Sequence, residues 1–340
     1  MSEWPRLAAE LPSVGGVFKS SPADFEVVER PLYELSGEGE HLYLTLRREG
    51  HTTFQVQRDL ADLFGLDPVA VGYAGLKDKW ARCTQTFSLA LRDAPLSEVK
   101  ERVEAELGFE ILGAQRHGNK LRTGHLLGNR FSLWIRGAGE GARQRAEAVL
   151  ARLGEPGLPN YYGEQRFGRG GDNAATGRAF LLGERRLPPR HRKLMLSALQ
   201  SQLFNDWLAS RICDGLFDQI LLGDLAKKED TGGLFLVEDL ESERARFAAG
   251  EIGYTGPMWG SKMKGAEGPA RERELAALAA ARLELDDFAR VRMPGSRRRA
   301  FLRLGPVEMT EAQDDLRLDF DLPKGSYATT LLAELGVSLA

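Results

Sequence analysis

Strand-patterned segments lie at both ends of this chain, and helical ones fill its middle. No other feature narrows the fold as much. An alternating strand buries its apolar face only against further layers, so the simplest fold makes the helical middle an insertion within one split sheet domain. Near the N-terminus, Phe25-Glu26-Val27-Val28-Glu29 and Leu42-Tyr43-Leu44-Thr45-Leu46-Arg47 alternate, with Gly37-Glu38-Gly39-Glu40 as the loop between them. Thr52 or Thr53 caps a helix with Val56, Leu60, Leu63 and Phe64 on one face, stopped by Gly65. Residues 84–91 read as a strand. Ser97 caps a second helix, with Val99, Val103 and Leu107 spaced i, i+4, i+8 before Gly108. Phe131 to Arg136 alternates cleanly, and a helix over 142–153 ends at Gly154. Strands that alternate and interleave with helices predict an α+β fold with a mixed, mainly antiparallel sheet.

The texture changes at Glu155-Pro156-Gly157-Leu158-Pro159-Asn160. A Gly- and aromatic-rich loop follows, Tyr161-Tyr162-Gly163-Glu164-Gln165-Arg166-Phe167-Gly168-Arg169-Gly170-Gly171. Helices are expected at about 174–183, at 191–213 with Leu194, Leu199, Leu203 and Trp207 inward, and at 269–284. Between them, Phe235-Leu236-Val237 and a turn at Gly256-Pro257 imply a smaller mixed portion, so the insertion reads as largely helical α/β. Strands return at 300–304 and 316–322. Pro323-Lys324-Gly325-Ser326 turns into a last helix, 327–335, stopped by Gly336.

One segment carries chemistry: Gly72-Tyr73-Ala74-Gly75-Leu76-Lys77-Asp78-Lys79-Trp80-Ala81-Arg82. Val69-Ala70-Val71 before it reads as a short buried strand. Gly72 and Gly75 allow a tight turn or a close backbone approach. Asp78 sits between two ammonium groups, with Arg82 further on. Nearby opposite charge favours the ionised carboxylate, so Asp78 is expected to be an anion and a candidate nucleophile. A solvated Lys-Asp-Lys turn is the plainer alternative.

Charge and composition narrow the partners. The net charge is −3, yet base is clustered where acid is spread. The runs are Arg185-Arg186-Leu187-Pro188-Pro189-Arg190-His191-Arg192-Lys193, then Arg297-Arg298-Arg299 with Arg303, and a looser set of Arg116, His117, Lys120, Arg122, His125 and Arg130. Basic patches on an acidic body suit a phosphate backbone, although each alone also reads as solvated surface. The 38 glycines among 340 residues exceed the ~7% of an average chain. Cys83 and Cys213 are far apart and lack metal-ligand spacing, which suits a reduced cytoplasm. Five scattered histidines form no HxxxH or HxH pair, which argues against zinc. No apolar run nears the ~20 residues that span a bilayer, and the N-terminus lacks the apolar core of a secretory signal. A cytoplasmic monomer is the expectation.

Seven short motifs then fall in a recognisable order. They are Lys19-Ser20-Ser21-Pro22-Ala23-Asp24-Phe25-Glu26-Val27; Gly37-Glu38-Gly39-Glu40-His41; Gly75-Leu76-Lys77-Asp78 with Thr84-Gln85; Gly128-Asn129-Arg130-Phe131; Pro159-Asn160-Tyr161-Tyr162-Gly163-Glu164-Gln165-Arg166-Phe167-Gly168; Ser201-Gln202-Leu203-Phe204-Asn205; and Leu322-Pro323-Lys324-Gly325-Ser326-Tyr327-Ala328-Thr329. In this order the chain resembles the TruD family of tRNA pseudouridine synthases, nearly end to end. The resemblance implies a pseudouridine-synthase catalytic domain made of 1–154 and 304–340, with the family's insertion domain at 155–303. It implies cofactor-free isomerisation of a uridine in tRNA, usually at tRNA position 13. Asp78 matches the catalytic aspartate, and Phe25, Asn129 and Tyr327 match positions that hold the target nucleotide. Phe is also common at the last place, so the Tyr327 hydroxyl could contact the nucleotide or a protein partner.

The chemistry needs these residue types. Uridine is joined to its sugar through N1 and must finish joined through C5. The enzyme must break C–N, turn the base while holding it, and form C–C. The base must leave its stack and meet a flat apolar wall. Phe25 and Tyr327 can supply one, at roughly 1–3 kcal/mol per stacked base; their alternative is core packing. The Asn129 amide can read a uracil edge or simply make a Gly-Asn turn. A carboxylate either attacks C1′ or removes a sugar proton to release the base and leave a glycal, and sequence does not choose. Both routes want a cation beside Asp78, for which Lys19 and Lys77 are candidates. Arg116, Lys120, Arg122, Arg190, Arg192 and Lys193 are candidates for the RNA backbone. Glu164 and Arg166 either orient the pocket or pin the insertion domain, and the structural role is the favoured reading. Two other classes fit less well. A tRNA-binding or chaperone protein would not need Asp78, and a metal-dependent nuclease would gather several carboxylates where these motifs supply one.

Overall fold

The computed structural model describes residues 4–155, 157–168 and 170–339; Pro156 and Arg169 of the aromatic-rich loop lie outside the described residues, as do residues 1–3 and 340. The chain divides into two compact units. One holds 14–144, 305–326 and 337–340; the other holds 1–13, 145–304 and 327–336.

The first unit is built on a ten-stranded sheet. Its main path runs Glu308–Ala312, Asp315–Pro323, Leu126–Arg136, Phe25–Pro31, Arg82–Leu89, His41–Arg48, Glu110–His117. Along that path only the Phe25–Pro31 and Arg82–Leu89 pair is parallel, so the sheet is mixed and mainly antiparallel, as the alternation predicts. The far end of the chain supplies two of these strands, and Asp315–Pro323 pairs with Leu126–Arg136 from Leu316 opposite Ile135 to Pro323 opposite Gly128. Leu42, Leu44 and Leu46 point to one face, where Val56 and Leu60 of the helix Thr53–Leu63 close over them with Phe87 and Val99. Full burial of side chains this size is worth ~1.5–3 kcal/mol each. Thr52 caps that helix, accepting from the Gln55 N–H at 3.2 Å while its own N–H donates to Gln55 Oε1.

Some expectations fail locally, and for physical reasons. Residues 68–70 form a 3-10 turn capped by Asp67 rather than a buried strand, and Val69 is exposed; only Val71 turns inward. The second helix starts at Leu96 behind Pro95, so Ser97 is inside it, and its last turn widens to π geometry over Val103–Leu107 before Gly108. Strand Glu110–His117 escapes the sequence pattern, because an edge strand with Ile111 as its one buried residue shows little apolar alternation.

The second unit carries the helices Asn173–Leu181, Pro189–Cys213, Leu240–Ala248, Gly268–Ala280 and Leu285–Arg290, and a four-stranded sheet. The long helix starts at Pro189, which suits Pro at a first helical position. It buries Leu199, Leu203 and Trp207 but leaves Leu194 exposed, ahead of the buried face that begins at Leu196. Gly256-Pro257 is no turn: both lie inside the wholly buried strand Ile252–Met258. Pro257 lies opposite Arg297 on one side, and on the other the pairing with Leu225–Lys228 has already ended at Tyr254, so the strand is an edge there. A Cβ at Gly256 would come 2.3 Å from the Trp207 ring, so the glycine admits the helix to the strand. The expected 300–304 strand shrinks to Phe301–Leu302; a separate strand, Ser296–Arg299, precedes it, and the two pair with different partners on either side of Ala300.

Candidate active site

In the first unit, cross-strand register places Phe25 opposite Leu133, Val27 opposite Phe131 and Glu29 opposite Asn129, while Val27 also faces Cys83 on its other side. Arg48 is opposite Cys83 on the next strand. One sheet face thus carries Phe25, Glu29, Arg48, Cys83, Asn129 and Phe131, and the Gly75-to-Trp80 segment hydrogen-bonds onto it. Gln85 Nε2 donates to the Gly75 carbonyl at 2.7 Å, and the Lys77 N–H donates to Thr53 Oγ1 at 2.9 Å. A Cβ at Gly72 would lie 2.2 Å from the Leu121 carbonyl, so the glycine permits the close approach that begins this segment.

Of the two candidate lysines, Lys19 is the one that reaches Asp78, its ammonium donating to Oδ2. The other carboxylate oxygen accepts from the Trp80 N–H at 3.0 Å, which closes a local turn. Asp78 keeps 32% of its side chain exposed, enough to meet a substrate. Lys19 sits at φ 70°, in the left-handed region that costs a non-glycine residue roughly 1–2 kcal/mol. The turn beside it holds that geometry. Buried Asp24 accepts from Ser21 N–H at 2.8 Å and from Arg136 Nε at 2.8 Å, locking the segment between Lys19 and Phe25. Strain held by such bonds is common where a side chain must be aimed.

Lys77 goes elsewhere. Its ammonium meets Glu29 Oε2 at 2.6 Å, with the two side chains 3% and 4% exposed. Asn129, opposite Glu29, has its Oδ1 buried with no hydrogen-bond partner among the described residues. Such an orphan acceptor is costly unless something donates to it. Phe25 is buried, edge-on to Phe18 at 5.1 Å and stacked on Phe131 at 6.2 Å, with the Lys19 ammonium 5.2 Å from its ring centre. Burial pushes the Cys83 thiol up to about 11, so it is no thiolate nucleophile at neutral pH.

Tyr327 belongs to the second unit, as the residue that begins the helix Ala328–Glu334. Its ring lies 5.8 Å from that of Tyr162, and a Cβ at Gly163 would meet it at 3.3 Å. Burial raises its phenol pKa, opposed by the Arg166 and Arg298 charges. Arg166 donates to Ser201 Oγ at 3.1 Å, and Arg298 lies over Tyr162 at 3.9 Å.

The family profile of tRNA pseudouridine synthase D (TruD) matches residues 4–184 and 178–335. The chain belongs to the TruD family. A tRNA pseudouridine synthase D of Thermus thermophilus is 46% identical over 334 residues, covering 98% of this chain and 92% of its own. That of an Anaeromyxobacter species is 44% identical over 344 residues, with 98% and 96% covered. The crystal structure of a Methanosarcina mazei TruD target shares the fold, with a TM-score of 0.77 at 22% identity over 99% of this chain and 97% of that one.

In this TruD chain the basic runs behave unequally. Arg116 is half-buried and donates to the Leu91 and Ala94 carbonyls at 2.9 and 2.7 Å, and Lys120 donates to the Val69 carbonyl. Arg122 is exposed, as are Arg190, Arg192 and Lys193; Arg192 Nε also donates to the Leu187 carbonyl. The Arg297-Arg298-Arg299 run does not form the free patch its sequence suggests. Arg297 pairs with buried Glu274 at 2.7 Å, Arg298 donates to Asn160, and Arg299 pairs with Glu229. Sequence reasoning missed Glu29, Arg48, Thr53 and Gln85. Only Gln85, within one of the seven motifs, carried any signal. Among the described residues no group of three or more His, Cys, Asp or Glu could hold a metal, and no helix is long and apolar enough to cross a membrane.

Proposed function

We propose that this chain isomerises a uridine of tRNA to pseudouridine, with Asp78 as the reacting carboxylate and no cofactor. Membership of the TruD family makes it a tRNA pseudouridine synthase. The observation that supports the assignment of Asp78 is its setting: an accessible carboxylate with one oxygen on Lys19 and the other on a backbone N–H. Held so, it is aimed without having to reorganise during the reaction.

The reaction begins when the carboxylate either bonds to C1′ or takes a proton from C2′; either way the C1′–N1 electron pair leaves with the base. The freed uracil turns and C5 bonds to C1′ as the carboxylate–C1′ bond breaks or as the proton is returned to C2′. C5 then loses its proton while N1 gains one, so the product and substrate have the same composition. Asn129 supports the holding step, because its unpartnered Oδ1 can accept a uracil N–H in both orientations. Phe25 and Tyr327 are assigned the apolar walls, and exposed Trp80 a place against a neighbouring base. Arg122, Arg190, Arg192 and Lys193 are assigned to phosphates. Uridine 13 is the proposed target, and a cytoplasmic monomer the proposed working form.

Because C5 must shed its hydrogen, tRNA transcripts made with [5-³H]uridine test this reading. The wild type should release tritium from one uridine per tRNA, and Asp78→Asn should release none. Tight tRNA binding without release by the wild type would make the chain a binding protein.

A further inference from the structure

Two other arginines with buried side chains meet carboxylates. Arg211 pairs with Asp224 at 2.7 Å and Arg297 with Glu274 at 2.7 Å, all with side chains under a tenth exposed. Arg48 is buried to 3% exposure and pairs with none among the described ion pairs. It is the last residue of the strand His41–Arg48, on the face of Leu42, Leu44 and Leu46, so an apolar stripe ends in a guanidinium. Its donors reach neutral oxygens: the carbonyls of His51, Asp78 (3.2 Å) and Lys77 (3.4 Å), Thr53 Oγ1 (3.4 Å) and Gln85 Oε1 (3.3 Å). Desolvating a charge costs several kcal/mol, and neutral acceptors recover only part of it.

We propose that Arg48 is a positioning residue for Asp78: its guanidinium fixes the main chain of the Lys77-Asp78 turn and sets a positive charge beneath the carboxylate. The inference rests on the reading of Asp78 as the reacting group. Two consecutive carbonyls of that turn accept from one rigid fork, which a lysine ammonium cannot imitate. The fork's other contacts belong to the same clamp. Thr53 accepts from the Lys77 N–H, Gln85 donates to the Gly75 carbonyl, and the Cys83 thiol donates to the Asp78 carbonyl at 3.5 Å. With Cys83 protonated, the anion that the buried charge senses is Asp78: burial lowers the Arg48 pKa, and the Asp78 charge opposes that. Lys19 therefore neutralises Asp78 from the substrate-accessible side and Arg48 from within the fold.

The test compares wild type, Arg48→Met and Arg48→Lys by single-turnover pseudouridine formation and by tRNA affinity, with thermal melts to report folding. A misplacement on the scale of 1 Å lowers rates ~10²-fold. The expected result for Arg48→Met is a rate lowered ~10- to 100-fold with tRNA affinity within about twofold of wild type, on the scale of that displacement. Arg48→Lys keeps the charge but not the fork and should recover part of the rate. A folded Arg48→Met with the wild-type rate, or a loss carried wholly by affinity, would overturn the proposal. If Arg48→Met does not fold, Arg48→Lys decides: a lowered rate at unchanged affinity supports the clamp, and a full rate overturns it. A wild type that forms no pseudouridine sinks the reading of Asp78 and this proposal with it, an outcome distinct from an active enzyme indifferent to Arg48.

Discussion

Each oxygen of the Asp78 carboxylate has its own donor, the Lys19 ammonium for one and the Trp80 N–H for the other. Asp78→Asn keeps the shape but puts an amide where a base or nucleophile is needed. It should bind tRNA nearly as well as wild type and lose turnover by ~10⁴-fold or more, the scale seen when a reacting group is removed; a filter-binding and single-turnover pair checks this. A second acid makes a prediction about stability. Asp206 on the long helix is pushed up to about 6 by burial, above the ~3.9 of an exposed aspartate. Between those values the native state binds the proton that the unfolded state has lost, so its contribution to stability is fully present below about pH 4 and is lost as pH rises through about 6. Asp206→Asn should raise stability at pH 7 by roughly 2 kcal/mol and flatten the dependence between about pH 4 and 6. Urea titrations across that range measure both. At this scale the sequence was legible where a motif named the residue, as for Lys19 and Asp78. Arg48 was not, because the alternating strand reads as ending at Arg47; the structure extends it by one residue, which puts Arg48 on the face of Leu42, Leu44 and Leu46.

Strand alternation carried the elements. The strands Phe25–Pro31, His41–Arg48 and Asp315–Pro323 alternate because one face is buried, and that face is where the site stands. What alternation did not reveal was an edge strand with one buried residue, Glu110–His117, or a strand buried on both faces that contains Gly256-Pro257. In these the periodic signal is weak for opposite reasons. Register also brings Glu29 under Lys77, a pair whose side chains are nearly inaccessible. Glu29→Gln leaves the ammonium buried and unpaired and should destabilise by ~3–5 kcal/mol, whereas Glu29→Leu with Lys77→Met should recover most of the loss. Chemical denaturation of the three proteins checks it; a Glu29→Gln variant as stable as wild type would remove the pair from the architecture.

Over the whole molecule, composition set limits and the three-dimensional pairing decided among them. A net charge of −3 permits an RNA partner only if base is local and unspent. Arg297, Arg298 and Arg299 are spent on the fold's own oxygens, which no sequence count could have separated from Arg190 and Lys193 at an exposed helix start. Replacing Arg190, Arg192 and Lys193 with alanine should weaken tRNA binding and reduce the slope of log K against log salt by about one unit for each phosphate no longer neutralised. An unchanged slope would free that helix from RNA contact. The central claim is that one accessible carboxylate isomerises one uridine. It is tested most directly by mapping pseudouridine on unmodified tRNA transcripts incubated with the pure protein in EDTA, beside Asp78→Ala. The expected result is a single modified position, uridine 13, that is absent with the variant. Modification that persists with Asp78→Ala, or that vanishes from the wild type in EDTA, would contradict it.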